Sequence, residues 1–153
     1  MPGTTMTETE PAVILVRAFR ATCERLYRAW TDPVMLQRWL APGPNVVERA
    51  ETDLRVGGRF QLQTRGPDGA RHRISGCYRE LEPGRRIVQT WIYDGPLDLL
   101  PGEETVLQID FTPRDDGTSE MRLTHRRIAR DDIRDAYQGD WPSCFDKLDR
   151  VLH

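Results

Sequence analysis

Alternating apolar and polar residues run through the middle of this chain in short stretches that end at turn residues. In the stretch 59–65, Phe60, Leu62 and Thr64 fall on one side of the alternation, and the Pro67-Asp68-Gly69 turn follows. A period of two is typical of a β-strand. The same pattern predicts seven strands, over residues 13–21, 46–53, 59–65, 71–81, 86–94, 103–112 and 118–128.

Short, turn-like segments separate the last six of these strands, with no helical pattern between them. Glu82-Pro83-Gly84 and Asp115-Asp116-Gly117 are two such segments, rich in residues that favour turns. Parallel strands need long crossover connections, whereas antiparallel neighbours can be joined by a short turn. The strands are therefore predicted to pair antiparallel.

Helical spacing replaces the alternation between the first and second strands. Leu26 and Trp30 lie on one predicted helical face, and Thr22 stands where a helix cap is expected. Asp32-Pro33 then predicts the start of a second short helix, because a capping carboxylate precedes a proline in the first turn.

The C-terminal segment also has helical spacing, but in two parts. Residues 131–137 are predicted to form a short lead-in helix that Gly139 breaks, and Asp140 and Pro142 mark a new start. The second part carries an apolar stripe that must be buried, and the sheet is the only predicted surface large enough to cover it. The stripe consists of Trp141, Cys144, Phe145, Leu148, Val151 and Leu152.

Composition narrows the class of protein. A chain of 153 residues is long enough for one domain. Its net charge of −2 lacks the basic excess that is typical of a nucleic-acid-binding protein. Its three cysteines are widely spaced, which argues against a disulfide framework or a zinc site. Reduced thiols are expected, and these are typical of a protein located in the cytoplasm. Residues 1–12 are expected to be a flexible tail, and no apolar run is long enough to span a membrane.

Several short motifs, in their order and spacing, carry a resemblance to a known family. They resemble the START-like (SRPBCC) superfamily, and within it the family named after the activator of the 90-kDa heat-shock-protein ATPase. The resemblance covers residues 13–152. Its motifs are Ala29-Trp30-Thr31-Asp32-Pro33, Arg38-Trp39, Asp53-Leu54-Arg55, Gly57-Gly58, Pro67-Asp68-Gly69, Gly76-Cys77-Tyr78-Arg79-Glu80, Leu123-Thr124-His125 and the segment 139–148.

This resemblance implies an α+β helix-grip fold for residues 13–153. In that fold a curved seven-stranded antiparallel sheet wraps around a long C-terminal helix, with two short helices between strands 1 and 2. It also implies a cavity between sheet and helix, frequent homodimers and, for most members, no established activity. The eukaryotic activators bind a chaperone through extra regions, and this chain shows no second domain that could do the same.

The candidate ligand-binding residues are aromatic residues and a histidine on the predicted inner surfaces, and several of them carry a polar group at the end of the side chain. Large apolar walls with a few polar groups suit a small-molecule site. The alternative is that these side chains fill the core completely, and periodicity alone favours that alternative. The candidates are Trp39, Phe60, Tyr78, Trp91, Tyr93, His125, Trp141 and Phe145.

Three functions remain open from the sequence. The first is binding of a small hydrophobic or aromatic molecule, and the second is a cyclase- or aromatase-like enzyme that uses His125, Tyr93 and Tyr78. The third is an interaction or chaperone-regulating module. No nucleophile elbow, phosphate-binding loop or metalloprotease motif is present. We therefore assign no catalytic residue, metal or cofactor, and expect neither a nucleic-acid nor a membrane partner.

The loop 95–102 interrupts the regular turns. It encloses Leu97, Leu99 and Leu100 between two glycines and two prolines. An apolar loop of this kind is predicted to be a lid over a cavity or a dimer contact, or else its leucines tuck into the core.

Overall fold

The computed structural model describes residues 11–153, so most of the predicted tail over 1–12 lies outside the described residues. The elements, in chain order, are β1 (Ala12–Phe19), α1 (Cys23–Thr31), α2 (Pro33–Trp39), β2 (Val46–Thr52), β3 (Arg59–Arg65), β4 (Arg71–Glu82), β5 (Arg86–Asp94), β6 (Glu104–Pro113), β7 (Ser119–Arg126) and α3 (Asp131–Val151).

All seven strands form one antiparallel sheet. Its order is β1-β7-β6-β5-β4-β3-β2, so that β1 and β2 are the two edges. The pairing bulges once between β2 and β3 and once between β4 and β5, and bulges of this kind increase the local bend and twist of a sheet. The predicted α+β class, the seven antiparallel strands and the two short helices between β1 and β2 are confirmed.

One face of the sheet is buried against the helices. On β6 and β7 most inner positions are apolar, and Leu107, Ile109, Met121 and Leu123 are fully enclosed. The ring of Trp141 on α3 lies 5.2 Å from that of Trp91 on β5, measured between centroids. The hydrophobic core therefore lies between the inner face of the sheet and α3.

The short helices begin where their caps predict. The Thr22 hydroxyl accepts a hydrogen bond from the backbone N–H of Arg25 at 3.1 Å. The Asp32 carboxylate accepts one from the N–H of Val34 at 2.9 Å, with Pro33 in the first turn of α2. Both caps satisfy N–H groups that would otherwise lack a partner within the helix.

The turn between β2 and β3 needs both of its glycines. Gly57 has a φ of +85°, a conformation that residues with a Cβ rarely adopt. A Cβ on Gly58 would collide with the backbone oxygen of Asp53. The Gly57-Gly58 motif therefore reflects backbone geometry.

The predicted break in the C-terminal helix is wrong. Helix α3 is continuous over 21 residues and includes both Gly139 and Pro142. A glycine and a proline inside a helix cost about 1 and 3 kcal/mol. The helix persists because residues on both sides of the break bury one common face against the sheet. These residues are Ile133, Tyr137, Trp141, Cys144, Phe145 and Leu148.

Among residues 11–153, no helix combines the length and the apolar character needed to cross a membrane.

Candidate functional site

A cavity opens at one end of the space between the sheet and α3. Its empty volume is about 550 Å³ including the mouth, and the centre of a water-sized sphere can move through about 70 Å³ of this. One water needs roughly 10–15 Å³ by the second measure, so the cavity has room for a small organic group. Its lining consists of Leu40, Pro42, Asn45, Thr64, His72, Ile74, Trp91, Tyr93, Leu97, Leu99, Tyr137, Asp140, Trp141 and Cys144.

One wall of the cavity is the segment 40–45 between α2 and β2, which is fastened to α3. The Lys147 ammonium donates hydrogen bonds to the backbone oxygens of Ala41 and Asn45, at 2.5 and 2.9 Å. The Ser143 hydroxyl accepts one from the N–H of Gly43 at 2.9 Å. These bonds hold the segment against the helix that forms the opposite wall.

The loop 95–102 borders the mouth of the cavity. Leu97 and Leu99 are part of the lining, and Leu97 is 51% exposed. Leu99 and Leu100 are half-buried and pack against the core. Arg130, at the start of α3, binds the Asp98 carboxylate at 3.1 Å. The loop therefore combines a partly exposed tip over the mouth with leucines that pack inward.

Tyr93 and His72 form the polar pair of the sheet wall. The Tyr93 hydroxyl lies 2.7 Å from His72 Nδ1 and accepts a hydrogen bond from the N–H of Leu97 at 3.1 Å. Burial raises the pKa of Tyr93, so the phenol keeps its proton at neutral pH. A Cβ on Gly95 would collide with this hydroxyl, so the glycine leaves room for it. Both side chains are at least nine-tenths buried.

Trp91 brings an unsatisfied donor to the same wall. Its side chain is 3% exposed, and its indole N–H has no hydrogen-bond partner among the described residues. Burial raises the pKa of Tyr137 to about 12, and the nearby Trp91 indole partly offsets this rise. The phenol and the indole are thus neighbours whose geometry falls short of a standard hydrogen bond. A buried unpaired N–H is costly, and a ligand acceptor would satisfy it.

Helix α3 contributes an acid and a thiol. Burial raises the pKa of the Asp140 carboxyl, and no described residue pairs with that carboxylate or donates a hydrogen bond to it. Burial also raises the pKa of Cys144 to about 12, so this thiol is not ionised at neutral pH.

The eight predicted ligand-binding residues divide between the cavity and the closed core. Trp91, Tyr93 and Trp141 border the cavity, whereas Trp39, Phe60, Tyr78, His125 and Phe145 do not. All the predicted residues except Tyr93 belong to one connected cluster of aromatic rings. Trp30, which was not predicted, also belongs to it and links Trp39 to the other rings. Neighbouring centroids in this cluster lie 4.7 to 6.2 Å apart along Trp39, Trp30, Trp141, Trp91, Phe60 and Tyr78, with His125 and Phe145 attached.

His125 is fully enclosed within this cluster. Its Nδ1 accepts a hydrogen bond from the Trp141 indole at 3.4 Å, so its Nε2 carries the proton and donates to the Thr105 hydroxyl at 2.8 Å. Thr105 in turn donates to the backbone oxygen of Trp91 at 2.7 Å. Burial lowers the pKa of His125 to about 3. At neutral pH this residue is an uncharged part of the core.

The enzyme hypothesis required two polar tips among His125, Tyr93 and Tyr78 to meet in the cavity. Only Tyr93 reaches it. Tyr78 is 2% exposed and packs against Phe60, and burial raises its pKa above the ordinary value. The predicted catalytic trio is therefore not assembled. The polar pair at the cavity is Tyr93 with His72.

Comparison with known proteins identifies the family. Residues 20–153 match the sequence profile described as Activator of Hsp90 ATPase homolog 1-like protein. This chain belongs to that family. The match to the AHSA1 family thus extends from the residue after β1 to His153 and includes every residue of the cavity lining.

Solved structures agree with the AHSA1 assignment. A protein from Chromobacterium violaceum is 29% identical, with a TM-score of 0.79, over 92% of this chain and 96% of that one. The AHSA1 protein from Silicibacter pomeroyi is 24% identical, with a TM-score of 0.79, over 93% and 97% of the two chains. None of the curated proteins matches the chain. The likenesses show a shared fold.

Several lining residues of this AHSA1 domain were not among the predicted ones. His72 continues the alternation of Ile74, Gly76 and Tyr78 by one step toward the start of β4, and this periodicity could have placed it on the inner face. Tyr137 and Asp140 were missed because the helix was predicted to break at Gly139. In a continuous helix, Tyr137 lies one turn from Trp141.

Proposed function

We propose that this AHSA1 domain binds a small apolar or aromatic molecule in the cavity between β3, β4, β5 and α3. The cavity walls are mainly apolar, and their few polar groups include those of Trp91, Tyr93, His72, Tyr137 and Asp140. Sites with apolar walls and a few fixed polar groups are typical of small-molecule binding.

The observation that carries this proposal is the indole N–H of Trp91, which has no hydrogen-bond partner within residues 11–153. Its side chain is almost completely buried yet borders open space. Buried polar groups in proteins nearly always have a partner, and each exception calls for an explanation. A bound molecule with a hydrogen-bond acceptor would supply the missing partner and occupy the apolar space at the same time.

A cavity-filling variant tests the proposal. Ile74→Trp places a large ring in the cavity, and Ile92→Trp adds the same ring on the outer face of the neighbouring strand. Calorimetric titration with a panel of small aromatic alcohols and ketones should detect binding to the wild type and to Ile92→Trp. Binding to Ile74→Trp should fall at least about tenfold, because the ring occupies the ligand volume.

Thermal unfolding keeps the comparison interpretable. Both variants should retain a cooperative transition, since one fills a void and the other lies on the outer face of the sheet. Equal binding by all three proteins would place the ligand elsewhere and contradict the proposal. No binding to the wild type across the panel would contradict it as well.

A further inference from the structure

We infer that the cavity selects apolar or aromatic molecules that carry a protonated amine, with Asp140 as the counter-ion. The inference rests on the proposed function, because it names the chemical class of the ligand at the same site. It is carried by the charges of the cavity lining, by the aromatic residues that share this lining with Asp140 and by the way the basic residues of the chain are used elsewhere.

The lining is unusual in its charges. Among the described residues, Asp140 is its only carboxylate, and no lysine or arginine belongs to it. The two tyrosines and the cysteine are uncharged at neutral pH, because burial raises their pKa values. His72 is the only basic side chain of the lining, and its Nδ1 is engaged by the Tyr93 hydroxyl. An anionic ligand would therefore meet a negative charge and no fixed positive one.

The chain does not lack cations that could have paired with Asp140. It contains 22 lysines and arginines, and many of its other acids form ion pairs. Arg86 binds Asp110 at 2.6 Å, and Arg17 on β1 binds Asp146 of the same helix as Asp140 at 2.8 Å. Lys147, two turns after Asp140, directs its ammonium to the backbone of the segment 40–45. Among residues 11–153, no cation pairs with the half-buried Asp140.

Four aromatic residues share the cavity lining with Asp140. Trp91 and Tyr93 contribute from β5, and Tyr137 and Trp141 contribute from α3. Ring faces attract cations, most strongly for tryptophan and in sites shielded from water. An ammonium group near Asp140 would therefore gain from the carboxylate and from the rings, while the apolar part of the ligand fills the space beyond. Because an ammonium only donates hydrogen bonds, the acceptor for the Trp91 N–H would be a second polar group of the ligand.

A series of three matched probes tests the inference. Phenylpropylamine, phenylpropanol and phenylpropanoate share one apolar part and differ in a terminal group that is positive, neutral or negative at neutral pH. Calorimetric titration of the full chain at low salt should give the amine about tenfold tighter binding than the alcohol. The carboxylate should bind more weakly than the alcohol.

Two variants locate the effect. Asp140→Asn keeps the shape of the side chain and removes its charge, so the amine should lose its advantage while the alcohol binds as before. Asp135→Asn makes the same change at an exposed position of α3 outside the lining and should leave all three affinities unchanged. Thermal unfolding checks that both variants fold, and relief of the buried charge should leave Asp140→Asn at least as stable as the wild type.

The possible results separate the two proposals. Equal binding of amine and alcohol to the wild type would overturn the charge preference and leave the proposed function standing. A preference for the amine that persists in Asp140→Asn would overturn the role of Asp140. Failure of all three probes to bind would count against the cavity as a binding site and would remove the basis of both proposals.

Discussion

Two histidines on the inner face of the same sheet have opposite surroundings. His125 on β7 is fully enclosed and has hydrogen bonds on both ring nitrogens, to Trp141 and to Thr105. His72 on β4 also bonds to a hydroxyl, that of Tyr93, but it borders the cavity. Both lie at inward positions of alternating strands. The difference between them is the space that their neighbours leave open.

This contrast extends to the two ends of the core. Around His125 the rings of Trp91, Tyr137 and Trp141 lie within about 6 Å of the imidazole, and no room for a ligand remains. His72 lines a cavity that is bounded in part by the loop 95–102 and by the segment 40–45, which lie mostly outside helices and strands. A buried polar residue therefore indicates a binding site only where the packing around it is incomplete.

The largest effect is expected from damage to the closed core. Phe145→Ala removes a fully buried ring that contacts Phe19 and Trp141, and should lower the free energy of unfolding by about 3–5 kcal/mol. Leu97→Ala, at the mouth of the cavity, should cost about 0.5 kcal/mol because the side chain is half exposed. Urea denaturation measures both. Similar losses for the two variants would contradict the division into a closed and an open end.

The second effect is a dependence of stability on pH to which His125 should make its own contribution. Its pKa is about 3 in the folded protein and 6.5 in the unfolded chain, so below pH 6.5 the unfolded chain binds a proton that the folded protein does not. The contribution of His125 to the free energy of unfolding should therefore fall by about 1.4 kcal/mol for each unit by which the pH is lowered between these two values. His125→Gln should lose this contribution.

Nuclear magnetic resonance offers a direct check on His125. Its ring signals should keep the chemical shifts of a neutral imidazole, protonated at Nε2, down to the pH at which the protein unfolds. A titration of these signals near pH 6.5 in the folded protein would contradict the enclosed environment.

A smaller effect is expected at the open end. Tyr93→Phe removes the hydroxyl that joins His72 to the N–H of Leu97, and should lower the free energy of unfolding by about 1 kcal/mol. The Leu97 amide should then exchange its hydrogen faster. Tyr137→Phe removes a hydroxyl from the same cavity without touching that amide and should leave its exchange unchanged. Equal exchange in both variants would contradict the role of Tyr93 in holding the loop.

The smallest effect should come from the exposed contact between the loop and α3. Arg130→Gln breaks the ion pair with Asp98, which lies in water and is worth little to global stability. The melting temperature should stay the same, whereas amides of residues 95–102 should exchange faster. Arg114→Gln, at an ion pair on the far end of the sheet, is the matched control and should leave these amides unaffected. Unchanged exchange in Arg130→Gln would show that the loop is held without this contact.

Local signals predicted the elements well. The predicted strands agree with the observed ones to within two residues at each end, because strand periodicity and turn residues act over a few positions. Thr22 and Asp32 cap the two short helices as predicted, since a cap involves only the next two or three residues. The prediction of a helix break was wrong at Gly139 and Pro142, because burial of one helical face outweighs the free-energy cost of placing both residues in a helix.

By itself, the sequence determined the antiparallel strands, the capped helices and the family resemblance. Only the tertiary structure decided that Trp91, Tyr93 and Trp141 border a cavity, whereas Trp39, Phe60, Tyr78, His125 and Phe145 do not. A cavity is the difference between the volume that sheet and helix enclose and the volume that their side chains fill. That difference depends on contacts between distant parts of the chain, so it cannot be predicted from local sequence patterns.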